Sequence, residues 1–496
     1  MQRCLWVCIL SCLAGCRVPA ARISPTGPGA PVDSPSKVLT RQLAVDSAAE
    51  LARHPLRSGF RLCAASAGHL AAAAHGIFGK RLAMRLVGPP RTVSACRGTL
   101  DPAALEADLH RLTGNALQPV DIQLYPEGGE ALAALKDVID QARCRIDVLM
   151  FEWENDALGA TVASWLAAKA SPQLHVRVLV DGGGNLIFGN PEHKAGFNVN
   201  RVVCALAEWP HVEVIRTRNP FGRFDHRKLV LADGRLAWAG GRNFTHASFF
   251  HHHDLSFTLA GPLVGQLQEL FDASWREQGG HEAVSGQGSE VGSASASSPA
   301  PGPASATEAP PVSLTADPWP LTPALARLAC TEPGQHHLAA VLYRAVDQAR
   351  EHVWLENFSF SDNRLVCKLA RARRRGVDVR VVLTVTGCTE PTNHANRVIA
   401  NRLRRAGVAV YVYPGMTHTK AAAVDGCWAY LGTGNFDPLS LRRNRELGLA
   451  IAAGPLIGEI EERLFLPDFR PEWELKQPFA LSASDYAWEL LGGFFL

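Results

Sequence analysis

Two stretches of this chain carry the same reactive side chains at the same spacing. The first holds His226, Lys228, Asp233 and, closing Gly240-Gly241-Arg242-Asn243, the amide of Asn243. The second holds His418, Lys420, Asp425 and, closing Gly432-Thr433-Gly434-Asn435, the amide of Asn435. In each, Lys stands two residues after His, Asp seven after and Asn seventeen after. Each specified residue lowers a chance match by a factor of roughly 20, so two matched copies are not accidental. Imidazoles attack and move protons, while ammonium and carboxamide groups hold anionic oxygens. A metal centre would instead gather carboxylate, Cys and His ligands. The expectation is chemistry on an anion without a metal or cofactor.

The spacing says how the groups converge. Residues i and i+2 of a strand share a face, so His and Lys project together. Asp233 and Asp425 have the opposite parity and precede Gly234 and Gly426. Asp-Gly between apolar runs signals a tight hairpin. The returning strand then brings the Asn back beside the His and Lys.

Elements that could position these groups also come in duplicate. Val138-Ile139-Asp140-Gln141-Ala142-Arg143 recurs as Ala345-Val346-Asp347-Gln348-Ala349-Arg350. Each copy closes a helical pattern and leads into an apolar strand, then a second helix and a β-rich run: Val176–Val180 and Val379–Leu383. Alternating strands and helices predict α/β units around a mostly parallel sheet. Two such units predict two similar α/β/α domains, residues 119–278 and 317–496, related by a pseudo-twofold axis. The site is expected at their interface. Between them, residues 279–316 are rich in Ser, Ala, Pro and Gly and are expected to be a disordered linker. Residues 41–118 read as helical, with a helix start at Asp101-Pro102, either capping the first half or acting as a spacer.

Composition narrows the class. With 47% hydrophobic and 20% charged residues the chain is globular, and its net charge of +3 lacks the basic excess of a nucleic-acid binder. No C-x-x-C occurs among Cys63, Cys96, Cys144, Cys204, Cys330, Cys367, Cys388 and Cys427, which argues against a zinc site. Arg3 and the apolar run from Leu5 lead into Leu13-Ala14-Gly15-Cys16, which resembles the lipobox of bacterial lipoproteins. Residues 1–16 are therefore expected to be a signal peptide with Cys16 as the lipidation site, and residues 17–40 a flexible tether. That resemblance implies a lipid-anchored protein of the bacterial envelope facing the periplasm. Arg17, where an Asp would favour the inner membrane, leans towards the outer one. Export would permit a Cys63–Cys96 disulfide.

H-x-K-x4-D followed by G-[GST]-x-N resembles the phospholipase D superfamily, and most closely its bacterial cardiolipin synthase branch. The resemblance runs from about Val120 to Phe469. It implies that one His attacks phosphorus while the other protonates the departing alcohol, with His226 attacking and His418 protonating. Lys228, Lys420, Asn243 and Asn435 would hold the phosphate oxygens. Asp233 and Asp425 would be structural. An acid lies 28 residues after each His, Asp254 and Glu446, and the resemblance implies that such acids accept a hydrogen bond from the histidines' far nitrogens. Gly241 departs from the Ser or Thr common in the family. The implied function is phosphatidyl transfer between phospholipids, with phosphatidylglycerol as substrate and a membrane surface as partner. Hydrolysis by water is the alternative, and a nuclease is a third reading.

Three features have plainer readings. His251-His252-His253 is expected to be a solvated loop rather than a metal site. The Arg371, Arg373, Arg374 and Arg375 cluster suits a helix C-terminus, with anionic lipid binding as the alternative. The apolar end, Leu490 to Leu496, fits either a docked terminal segment or a bilayer contact.

Overall fold

The computed structural model describes residues 35–53, 99–188, 200–280, 322–387, 389–452 and 454–495. Cys16, Cys63, Cys96, the tether up to residue 34 and the linker from residue 281 lie outside the described residues.

The two Asp-Gly turns organise each half. Asp233 and Gly234 have φ of 53° and 65°, and Asp425 and Gly426 have 52° and 64°. Positive φ at both centres gives the turn whose twist matches a hairpin. The Asp233 carboxylate accepts from the backbone N–H groups of Arg143, Cys144 and Arg145. Asp425 does the same for Arg350, Glu351 and His352. Each Asp thus ties its turn to the start of a neighbouring strand, at the far end of the hairpin from its His.

Fourteen strands form one continuous sheet. In the first half they are β1 (Gln118–Tyr125), β2 (Arg145–Met150), β3 (His175–Val180), β4 (Val212–Arg216), β5 (Lys228–Ala232), β6 (Leu236–Gly240) and β7 (Ser256–Ala260). The second half supplies β8 (Thr322–Leu328), β9 (His352–Asn357), β10 (Asp378–Leu383), β11 (Ala409–Val412), β12 (Lys420–Val424), β13 (Trp428–Gly432) and β14 (Gly448–Ala452). Their order is β11-β10-β9-β12-β13-β14-β8-β1-β7-β6-β5-β2-β3-β4. Each strand of one half has its counterpart mirrored in the other, as a pseudo-twofold axis between β1 and β8 requires. Those two pair antiparallel, with Gln118 opposite Ala326 and Ile122 opposite Thr322.

The sheet is not mostly parallel. Only β2-β3-β4 and β9-β10-β11 run parallel, and every other pairing is antiparallel. Helical crossovers make the parallel triplets, whereas the Asp-Gly turns and short returns force antiparallel neighbours.

The N-terminal region also departs from expectation. A helix at Pro35–Arg53 begins inside the expected tether, and its Asp46 accepts from the backbone N–H of Asn219 in the first half. The helix Pro102–Thr113 does start at Asp101, whose side chain accepts from the N–H groups of Ala103 and Ala104. It packs on the second half rather than the first. Leu105 and Leu109 join the core of Leu338 and Leu342, and Asp108 accepts from Arg344 and Gln348. The cause is chain direction. This helix feeds β1 at Gln118, the end that lies against β8.

Candidate active site

The histidines sit where each hairpin strand begins, against a segment of the opposite half. His226 N–H donates to the carbonyl of Arg445 at 2.9 Å, and His418 N–H donates to the carbonyl of His253 at 2.6 Å. Asp225 bridges Arg445, just as Met416-Thr417 pairs with His252-His253. These crossings place each His beside the acid that follows the other half's strand. Nδ1 of His226 lies 3.0 Å from Oε2 of Glu446, and Nδ1 of His418 lies 2.7 Å from Oδ2 of Asp254. The pairs are crossed. Both acids are fully buried, and the two histidines are 8% and 6% exposed.

Charges from both motifs act in one place. Burial lowers the proton affinity of His226; Glu446 opposes it, while Lys228 and the other half's Lys420 reinforce it. His418 is pushed well below the usual imidazole range by burial and Lys420, against Asp254, with Lys228 adding to the effect. Burial also draws Lys228 down to about 8, although Glu446 and Asp254 resist. Burial raises the Asp254 carboxyl, but His418, Lys420 and Arg242 overcome it and hold the group at about 2. Burial and the lysines thus lower the proton affinity of both imidazoles, while the carboxyls of Asp254 and Glu446 are both held below their ordinary range.

Aromatic rings line it from below. Lys228 Nζ stands 4.8 Å from the Phe151 centroid, and Lys420 Nζ stands 5.3 Å from that of Phe358. The same rings meet His226 and His418 edge-on at 4.5 and 5.0 Å. Asn243 and Asn435 are buried beyond the ends of β6 and β13, each with an Oδ1 that makes no hydrogen bond. The histidines, lysines and paired acids of both motifs are thus gathered, while Asp233 and Asp425 lie apart at the turns.

A family model described as cardiolipin synthase, PLD-like domain matches residues 135–275 and 342–465, more than half of the chain and both motifs. The chain belongs to that family. It is 25% identical over 346 residues to cardiolipin synthase A of Pectobacterium carotovorum subsp. carotovorum (strain PC1), covering 66% of this chain and 65% of that relative. Cardiolipin synthase A of Escherichia coli O157:H7 (strain EC4115 / EHEC) is 25% identical over 344 residues, with the same coverage. The chain thus spans 65% of the length of these curated relatives. Among solved structures, phosphatidylserine synthase of Haemophilus influenzae Rd KW20 superposes with a TM-score of 0.51 at 15% identity, covering 75% of this chain and 90% of that one. That likeness shows the two-domain PLD-like fold.

The two PLD-like halves are chemically unequal at one place. Thr433 donates its hydroxyl to Glu446 at 2.6 Å. A Cβ at the equivalent Gly241 would lie 2.1 Å from Oδ1 of Asp254. Asp254 packs where the family's hydroxyl would stand, so glycine is the residue that fits.

Sequence reasoning missed Glu152, Phe151 and Phe358 of this PLD-like site. Glu152 accepts from Nδ2 of Asn243 at 2.8 Å, and burial raises its carboxyl to about 8. The rings carried a signal. Phe358 and Phe151 are 207 residues apart (358 − 151), as are Asp347 and Asp140 (347 − 140) of the repeat.

The histidine run is not a solvated loop. His251 is exposed, but His252 and His253 form a short strand against Met416-Thr417. Strand pairing turns His253 inward, where it meets the buried carboxylates of Glu356 and Asp468. That is a potential ligand set where none was expected. The arginine cluster ends the helix Asn363–Arg374, with Arg373 donating to the carbonyl of Gly407 and Arg375 to those of Val346 and Ala349. The C-terminal helix Ala483–Phe495 is tied to the helix Glu390–Arg405 through Asp485 with His394 and Glu489 with Arg402. No helix among the described residues is long and apolar enough to cross a membrane.

Proposed function

We propose that this chain transfers a phosphatidyl group between phospholipids, joining two phosphatidylglycerols into cardiolipin and releasing glycerol. The observation that carries the reading is the crossed pairing. Each imidazole commits Nδ1 to a carboxylate of the other half, which orients Nε2 for reaction. One Nε2 attacks phosphorus and the phosphorus–oxygen bond to glycerol breaks. The other imidazole, as imidazolium, gives its proton to the leaving oxygen. The hydroxyl of a second phosphatidylglycerol then surrenders its proton to that same imidazole, attacks phosphorus and frees the first histidine. The phosphodiester energy is kept in the N–P bond, so no nucleotide donor enters.

Lys228, Lys420 and the two Asn amides would hold the non-bridging oxygens, where charge builds in the transition state. Burial lowers the proton affinity of both imidazoles, so either is competent to attack, and the bound anion raises the proton affinity of its partner. Membership of the cardiolipin synthase, PLD-like domain family supports the phospholipid substrate.

Purified protein given phosphatidylglycerol vesicles is expected to yield cardiolipin and glycerol in equal amounts by mass spectrometry. Phosphatidic acid as the main product would assign hydrolysis instead. We place the enzyme on the periplasmic side of a bacterial envelope, anchored through Cys16, on the strength of Leu13-Ala14-Gly15-Cys16. Cys16→Ala is expected to leave an unprocessed precursor that takes up no labelled fatty acid; unchanged processing removes the anchor.

A further inference from the structure

Beside the crossover that presents His418 lies a cluster of buried ionisable side chains. Glu356 is fully buried and Asp468 is 4% exposed. His253 Nε2 stands 2.8 Å from Oδ2 of Asp468 and 3.4 Å from Oε1 of Glu356. The ligand atoms of the three side chains all lie within 4.8 Å of one another. His253 Nε2 and Asp468 Oδ2 are ion-pair partners, whereas Glu356 Oε2, out of contact with solvent, has no hydrogen-bond donor. A buried carboxylate oxygen without a donor, set beside an imidazole and a second carboxylate, calls for a partner.

The first half shows what such a partner does. There Asp225 and Glu332 are met by two guanidinium groups: Arg227 pairs with both acids, and Arg445 lies 3.6 Å from Glu332. Arg227 follows its catalytic-motif His by one residue, and Arg445 precedes its acid by one. The residues at the two matching places of the other motif are Thr419 and His253. At those places two arginines are replaced by one threonine and one imidazole.

We propose that His253, Glu356 and Asp468 bind a divalent transition-metal ion, with Zn2+ as the best match. One imidazole nitrogen and two carboxylate oxygens suit zinc, with ligand bonds of about 2.0–2.2 Å. Tetrahedral bonds of that length set ligand atoms about 3.3 Å apart, close to the 2.8 and 3.4 Å found. The ion lies behind the motif strand rather than at the phosphate. It acts through position: the carbonyl of His253 receives the N–H of His418, and Thr417 donates its hydroxyl to Glu356. Holding this crossover fixes the backbone that presents His418. The transfer chemistry remains metal-free.

The test uses the whole chain, stripped with a chelator and titrated with Zn2+ against a chromophoric competitor. One equivalent is expected to bind tighter than micromolar and to raise the melting temperature. Glu356→Gln and Asp468→Asn are each expected to weaken binding about a hundredfold or more, while His251→Ala leaves it unchanged. Co2+ added to the unmutated protein is expected to give the intense visible bands of a tetrahedral site, a readout that no folding defect can mimic. No tight equivalent, no such bands, or loss with His251→Ala but not with Glu356→Gln would overturn the site.

Discussion

His226 and Glu446 are separated by 220 residues and joined by a 3.0 Å hydrogen bond, so the histidine of one half depends on the acid of the other. His418 and Asp254 complete the exchange at 2.7 Å. A buried carboxylate that orients an imidazole and stabilises its protonated form is worth orders of magnitude in rate. Asp254→Asn and Glu446→Gln are each expected to lower kcat by about a hundredfold or more, with little change in KM. Nitrogen NMR of labelled histidine decides the wiring: Asp254→Asn is expected to perturb His418 and leave His226 alone. Perturbation of His226 instead would refute the crossed pairs.

The transfer route requires a covalent adduct. Rapid acid-free quenching with a phospholipid labelled in its phosphatidyl group is expected to leave label on the peptide containing His226. Recovery on the His418 peptide reverses the two roles. Absence of any acid-labile adduct, with turnover intact, removes the covalent route.

Lys228 adds a second alkaline limit. Burial brings its ammonium down to about 8, so the charge is present below that pH and lost as pH rises through it. The kcat/KM profile, which reports the free enzyme, is expected to steepen near pH 8, above the earlier limb set by the histidine that must be protonated. A profile flat to pH 10 would contradict this.

Glu152 tests whether a neutral acid supports Asn243. Its carboxyl, raised by burial to about 8, is protonated at pH 7. Glu152→Gln preserves a neutral acceptor for Asn243 Nδ2 and is expected to keep activity within about threefold. Glu152→Ala leaves a buried amide donor unpaired, a cost of about 1–3 kcal/mol, and is expected to lower activity roughly tenfold or more. Equal loss in both variants would mean that the ionised form matters.

The helix Pro102–Thr113 contributes to the stability of the second half. Leu109 is fully buried there, so Leu109→Ala is expected to cost about 2–5 kcal/mol. Limited proteolysis of that variant is expected to cut first in the second half. First cleavage within residues 119–278 would speak against this packing.

Short-range physics made much of this protein legible from its residues. Asp-Gly between apolar runs dictates a turn with positive φ, and both turns are present. The matched offsets of His, Lys and Asn name the reactive groups wherever the strands lie. Asp101 before Pro102 starts a helix because its side chain meets N–H groups two and three residues on. Strand direction was less legible, since an apolar run reads alike in parallel and antiparallel neighbours. Tertiary structure alone decided the rest. An acid 28 residues after a His carries the same sequence signal whether it serves that His or the other. Only the pairing of β1 with β8, which joins two seven-stranded halves into one sheet, gives Glu446 to His226 and Asp254 to His418. The same closure brings His253 to Glu356 and Asp468, residues more than a hundred positions away. Contacts at that separation have no local periodicity to announce them. They follow from which faces the two halves bury together.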